Sequence, residues 1–235
     1  WQASQTLAMS MSPYSFNPFN LNPLQRVIEA SVDFEALRAS KVRIHVSATA
    51  VKAGQSRIFG NSEMAAEVLL ASACLPHMFQ AVEIEGEAYW DGGYLANPAL
   101  WPLFDSVVPD DILLLPLNPI FRDDTPRQSS EIMDRLNEIL FNAPLIAELR
   151  AIAMTQRLID DGKLQRSKGW EAPKVHAILA DKWLGELSMA SKFDTEWSFL
   201  KSLKSSGRTA ASEWLDTCFD DVGRCTSINL QKVFL

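Results

Sequence analysis

The stretch that most constrains this chain runs from Ala71 to Pro98. Ala71-Ser72-Ala73 is a run of small residues, so a helix ending there can pack closely on a neighbour. Cys74-Leu75-Pro76 closes it, because the residue before a proline is pushed out of the α region. Residues 81–84 and 88–90 then read as two β runs around Glu85-Gly86-Glu87, a hairpin. The second run delivers Asp91 onto Gly92-Gly93, with Tyr94 and Asn97-Pro98 behind it.

What precedes this stretch is a mixture of short elements. Pro13, Pro18 and Pro23, with Asn17, Asn20 and Asn22, exclude a long helix over residues 1–23. Tyr14, Phe16, Phe19 and Leu21 make that segment apolar. It reads as a loop stapled to the core by its aromatics, or as a lid or channel wall that a lipid chain would touch. Residues 24–30 form a short helix and 33–38 a further turn. Val42, Ile44, Val46, Ala48 and Ala50 alternate with Arg43, His45, Ser47 and Thr49, which predicts a strand. His45 on it is a surface or packed histidine, since nothing is spaced to orient it. Gly54 marks a turn and residues 56–59 a partner strand, closed by Gly60. Asn61 or Ser62 caps the next helix, with Glu63 in its first turn.

Beyond the central stretch, residues 112–117 are continuously apolar, which predicts a strand buried on both faces of a parallel sheet. From Ser129 the pattern turns helical. Ile132, Leu136, Ile139 and Leu140 set one stripe, Pro144 interrupts it, and Asn142 caps a new helix. Leu145, Leu149, Ile152 and Leu158 continue to Gly162, a C-cap. Residues 174–179 predict another strand. Residues 185–222 predict helix anchored by Phe193, Trp197, Leu200, Leu203 and Trp214. A boundary falls within residues 118–130. Strands alternating with helices, followed mostly by helix, place the chain in the α/β class with a mainly α-helical C-terminal extension.

Bulk properties exclude several functions. The formal charge of −7 is opposed to a nucleic-acid footprint and to strong electrostatic docking on anionic lipid. Cys74, Cys218 and Cys225 are too few and too scattered for a disulfide framework or a zinc site, and a reducing, cytoplasmic compartment is expected. No segment reaches the roughly 18 apolar residues of a membrane span. Residues 1–12 lack the features of a signal peptide, and Trp1 in place of an initiator Met reads as a processed or truncated start. The adjacent pairs Asp110-Asp111, Asp123-Asp124, Asp160-Asp161 and Asp220-Asp221 lack calcium-loop spacing and read as surface caps and turns; no metal site is expected.

Asp91 is the candidate catalytic residue. As a dipeptide, Asp-Gly is an ordinary turn signal. An aspartate at the carboxyl end of a strand, however, sits where open α/β sheets place their sites. Gly92 and Gly93 let backbone approach a ligand closely. Tyr89, Trp90 and Tyr94 would surround the carboxylate with apolar groups, where it could deprotonate a serine hydroxyl.

Residues 47–103 resemble the C-terminal half of a patatin-like phospholipase domain. The resemblance is carried by Ala71-Ser72-Ala73-Cys74-Leu75-Pro76, the Val82-Glu83-Ile84 strand, Tyr89-Trp90-Asp91-Gly92-Gly93-Tyr94 and Asn97-Pro98. In that family the aspartate of an Asp-Gly-Gly or Asp-Gly-Ala run is the partner in a Ser–Asp dyad, which here is Asp91, with Gly92 and Gly93 supporting it. Asn118-Pro119, Asn137-Glu138-Ile139, Glu148-Leu149-Arg150 and Asp160-Asp161-Gly162 are similar to the C-terminal region of bacterial members.

The resemblance implies a three-layer α/β/α patatin-like fold, here partial, lacking the first strands and the nucleophile helix. Residues 1–118 would be the C-terminal portion of the domain and 119–235 a mainly helical extension packed on it. It implies a serine acyl hydrolase that degrades lipid esters without metal or organic cofactor, cytoplasmic or peripheral at a membrane. The chain contains no Gly-x-Ser-x-Gly elbow. The nearest string, Gly60-Asn61-Ser62-Glu63-Met64, lacks the second glycine. The chain is therefore expected to supply the aspartate without the serine, to be inactive alone, and to need an N-terminal segment or partner chain. The alternative is a non-catalytic lipid- or protein-binding module on a degenerate patatin scaffold.

Overall fold

A computed structural model describes residues 11–104, 110–165, 173–179, 181–185, 187–188, 191–192 and 194–230. Phe193, one of the expected helix anchors, and residues 1–10 lie outside them. The chain divides into two compact units, Trp1–Pro102 and Leu103–Leu235, both mixing helix and strand as the α/β expectation requires.

In the first unit, α1 (Pro13–Phe16), α2 (Pro23–Ser31) and α3 (Phe34–Ala39) start where the sequence provides caps. Ser12, Asn22 and Asp33 each accept a backbone N–H of the first turn, and α1 and α2 carry proline at the start. The sheet contains β1 (Val46–Ala50), β2 (Gln55–Phe59), β3 (Val82–Ile84) and β4 (Glu87–Asp91) in the order β2-β1-β4-β3. All three pairings are antiparallel. Two of them follow from tight turns. Gly54 takes φ 62° after β1, and Glu85 and Gly86 take φ 53° and 82° between β3 and β4. Positive φ at both central positions is the I′ geometry that suits strand twist. Asp91 thus ends a strand of an antiparallel sheet, not of an open parallel one. The core under this sheet joins Ala48, Phe59, Met64, Val68, Ala71 and Tyr89.

The helix expected from Asn61 begins later. Residues Asn61–Glu63 form a 3-10 turn, closed by Glu63 accepting the Gly60 N–H at 3.0 Å. α4 (Ala66–Ser72) follows without a side-chain cap. Asn61 is committed elsewhere. It accepts from Ile44 N–H at 2.9 Å and donates to the carbonyls of Leu37 and Val42.

The second unit has a parallel pair, β5 (Asp111–Leu114) with β6 (Lys174–Ala177). Between them runs α5 (Ser129–Asp160), the crossover a parallel pair needs. α6 (Asp181–Leu184) and α7 (Trp197–Cys218) follow. β5 is covered on one face only. Ile112 and Leu114 are buried, whereas Leu113 is 44 % exposed. It stops before Pro116, which cannot donate to a ladder, so the strand expected to be buried on both faces over 112–117 is shorter and one-sided.

α5 departs further from expectation. It passes through Pro144 as one helix. Its first-half stripe of Ile132, Leu136, Ile139 and Leu140 is exposed, and Glu138 and Asn142 are buried instead. The reason is polar. Arg122 chelates Glu138 with Nε at 3.0 Å and Nη2 closer still, Arg135 adds a contact at 3.1 Å, and Asn142 Nδ2 donates to the Pro119 carbonyl at 2.8 Å. These bonds tie the 118–122 segment to the helix and set which face turns inward. From Leu145 onward the expected apolar stripe, Leu145 and Leu149, is buried. In α7, Trp197 is 70 % exposed and anchors nothing.

Candidate functional site

Asp91 is the last residue of β4 and the N-cap of a 3-10 turn, Gly92–Tyr94. Several interactions hold it. Its backbone pairs with Ala48 across the β1–β4 ladder. Its N–H donates to the Cys74 carbonyl at 2.9 Å. Its carbonyl accepts the Thr49 hydroxyl at 2.8 Å, and its Oδ1 accepts the Gly93 N–H at 2.7 Å. The side chain is half-buried. A carboxylate that caps a turn is held in one rotamer, with its second oxygen directed by that bond.

Gly92 and Gly93 have separate jobs. Gly93 supplies the N–H that orients Asp91. Gly92 is buried against β1, where a Cβ would meet the Ser47 carbonyl oxygen at 2.2 Å and the Ser47 Oγ at 2.3 Å. No side chain fits there, which is the close approach that glycine permits. The Ser47 hydroxyl reaches over the turn to the Ala96 carbonyl at 3.0 Å. Ser47 and Thr49, successive positions on one face of β1, were not singled out in the sequence. The signal for them was the alternation of β1, but which strand lies beside β4 is not written in it.

The small-residue run ends in Cys74, and this thiol belongs to the site. It is 1 % exposed and donates to the Gln80 carbonyl at 3.2 Å. Burial pushes its pKa up to about 11, and the Asp91 charge adds to that effect. Burial likewise raises the Tyr94 phenol, with Asp91 second and Cys74 third. The thiol and the phenol therefore stay protonated beside the carboxylate.

Gln80 links this centre to the N-terminal loop. Its side chain donates to the Asn17 carbonyl at 2.8 Å, and Ala81 N–H donates to the Tyr14 hydroxyl at 3.3 Å. The loop is attached through these polar bonds. Its aromatics do not staple it to the core, because Tyr14 is 59 % and Phe19 84 % exposed. An apolar, solvent-facing loop is thus hydrogen-bonded to the segment that carries Cys74.

The second unit holds a serine–histidine–aspartate set that the sequence did not disclose. His176, 1 % exposed on β6, has Nε2 2.9 Å from Asp111 Oδ1 and Nδ1 3.0 Å from Ser227 Oγ. Trp214 packs edge-on against its ring at 6.0 Å. Asp111 also accepts Gly223 N–H at 2.9 Å, so it is an internal acceptor, not a surface cap. The set joins β5, β6 and the C-terminal segment. Among the described residues no group of three or more His, Cys, Asp or Glu could hold a metal ion. No helix of the described residues is long and apolar enough to cross a membrane.

The family model described as patatin-like phospholipase matches residues 16–104. That segment, which contains the antiparallel sheet, Cys74 and Asp91, is similar to the patatin-like phospholipase family. The match ends before the 118–162 motifs. No curated protein and no solved structure matches the chain.

Proposed function

Because residues 16–104 are similar to the patatin-like phospholipase family, we propose that this chain supplies the aspartate of a Ser–Asp acyl hydrolase acting on lipid carboxylic esters. The observation that carries the reading is the fixing of Asp91 at the strand end, through Gly93, Cys74 and Thr49. The nucleophile is a serine of a Gly-x-Ser-x-Gly elbow outside these 235 residues, on a missing segment or a partner chain. Its hydroxyl attacks the ester carbonyl while the Asp91 carboxylate takes the proton. The tetrahedral oxyanion is met by backbone amides. Collapse releases the alcohol, which recovers the proton, and leaves an acyl-serine. Water, deprotonated by the same carboxylate, then frees the fatty acid.

In this reading the completed domain is a three-layer α/β/α fold. Residues 1–118 are its C-terminal portion and 119–235 a helical extension. The enzyme is cytoplasmic or peripheral at a membrane. The test is turnover of p-nitrophenyl esters by this chain and by a chain extended with the upstream coding segment. The expected result is none for the first and turnover lost in Asp91→Ala for the second. Robust turnover by the 235-residue chain alone, abolished by Asp91→Ala, overturns the shared-site reading.

A second reading is a non-catalytic module that binds acyl chains or a protein partner. Two observations favour it: the absence of Gly-x-Ser-x-Gly from the sequence and the exposure of Phe16, Phe19 and Leu21. An upstream segment without an elbow serine, together with vesicle binding lost in Phe19→Ser, would select it.

A further inference from the structure

We infer that the second unit contains a binding site for a single unbranched fatty carboxylate, separate from Asp91. The site is the cavity of about 500 Å³ where the carboxyl ends of β5 and β6 meet α6 and α7. This size lies within the roughly 300–1,000 Å³ of small-molecule sites. Its position, beyond the carboxyl ends of a parallel pair, is where α/β sheets bind ligands.

The walls come from four directions. Leu115 and Leu117 leave β5, Ile178 leaves β6, Trp183 and Leu184 come from α6, and Phe199 with Leu203 from α7. The α7 wall is lowered by Ser206, Gly207, Ala210 and Ala211. Gly207 leaves open space, since nothing lies within 4 Å of a Cβ added to it. A slot with apolar walls and no charged side chain in its lining favours methylenes over a polar ligand.

Charged side chains line the neighbouring cavity. Leu117, Leu184, Leu187, Phe199 and Leu203 also line a smaller cavity of about 150 Å³, whose other walls include Asn118, Asn137, Glu138 and Lys192. The two cavities lie side by side across these shared walls. Lys192 places its ammonium over the Phe141 ring, 5.6 Å from the centroid, and donates to Asn118 Oδ1 at 2.8 Å. Asp134 lines this smaller cavity too. Glu138 is neutralised. Burial works against its charge, but the Arg122 and Arg135 hydrogen bonds outweigh it and hold its pKa below the ordinary range. Lys192 is the cation among the lining residues, and Arg122 and Arg135, which bind Glu138 from outside the lining, bring the local count to three cations against two carboxylates in a chain of net charge −7. An apolar slot beside a cavity that holds a lysine fits a chain with an anionic head. The inference does not depend on the hydrolase reading, although a fatty carboxylate is also the product that reading releases.

The test is calorimetric titration of the full chain with monomeric dodecanoate and with dodecanol, which needs no turnover. Gly207→Leu fills the slot and raises helix propensity, so it folds. Lys192→Gln removes the head-group cation. Saturable dodecanoate binding is expected, weakened about tenfold or more in Gly207→Leu. Lys192→Gln should weaken dodecanoate about fivefold and leave dodecanol unchanged. Dodecanoate that fails to bind, or binds Gly207→Leu as well as wild type, overturns the site. Equal preference for dodecanol in the wild type overturns the carboxylate. Self-association of the chain lost in Gly207→Leu, with no dodecanoate bound, would show the slot to be occupied by a second copy instead.

Discussion

Gly92 lies so close to Ser47 that a Cβ on it would stand 2.2 Å from the Ser47 carbonyl oxygen. The obstacle is strand backbone, which cannot swing away. Gly92→Ala must therefore push the Asp91 turn off β1 or distort the β1–β4 pairing. A cost of about 1–3 kcal/mol or more is expected, as for overpacking in a core, with a lowered unfolding midpoint of the first unit by urea titration.

Asp91 acts as a base in the proposed reaction and as a cap in the fold, and the two roles separate by substitution. Asparagine keeps an Oδ1 acceptor for Gly93 N–H but cannot take a proton. In the chain completed with its serine, Asp91→Asn should lower kcat on the order of 10²–10⁴-fold with little change in melting temperature. Asp91→Ala should lose both, and a combined assay of turnover and thermal unfolding distinguishes them.

Asp111 couples the second unit to pH. The Gly223 N–H holds its carboxyl below the ordinary range, burial opposes this, and the His176 ring reinforces it. A pKa depressed on folding stabilises above the unfolded value, about 3.9, and that contribution disappears as pH falls through the lower folded value. Asp111→Asn is expected to cost about 1–3 kcal/mol near neutrality. The difference from wild type should shrink steadily below about pH 4, read from urea unfolding at several pH values.

Cys74 is shielded twice, by burial and by a thiol pKa of about 11. Thiolate is the reactive form, so Cys74 should resist Ellman's reagent in the native protein at mildly alkaline pH. In urea it should react like an ordinary thiol. Rapid native labelling at Cys74, mapped by mass spectrometry, would contradict the packing described around Asp91.

Pro144 sits inside α5 and removes the N–H that would reach the Leu140 carbonyl one turn earlier. Neither residue is buried, so an alanine adds no clash. Pro144→Ala is expected to raise the second unit's stability by about 1–3 kcal/mol, seen as a higher thermal midpoint.

Much of the first unit was legible from the residues. The alternation and the glycines at 54 and 86 marked β1, β2 and the β3–β4 hairpin, because period-two burial and positive φ leave local traces, although β1 begins only at Val46 and Val42 of the expected strand is exposed. The prolines at 13, 18 and 23 excluded a long helix over residues 1–23, but the single turn Pro13–Phe16 inside the expected loop was not anticipated. Less was legible in the second unit. Ile132, Leu136, Ile139 and Leu140 recur at helical spacing, yet the face that turns inward carries Glu138 and Asn142. Its burial depends on Arg122 and Pro119, more than a dozen residues away, and periodicity contains no information about such partners. Pro144 also read as a helix break, because a local rule cannot see the neighbours that hold the helix through it.

By itself the sequence determined the local chemistry around Asp91. It set a small-residue helix end, a hairpin, a carboxylate and two glycines in that order, together with the absence of an elbow serine from these residues. These are short-range properties, decided by backbone sterics and side-chain type. The tertiary structure alone decided that Gly92 faces Ser47, that Cys74 lies beneath Asp91, and that His176 meets Asp111 and Ser227. Those relations join residues tens of positions apart, and they exist only once strand order and helix rotation have been fixed by burial and hydrogen bonding across the whole unit.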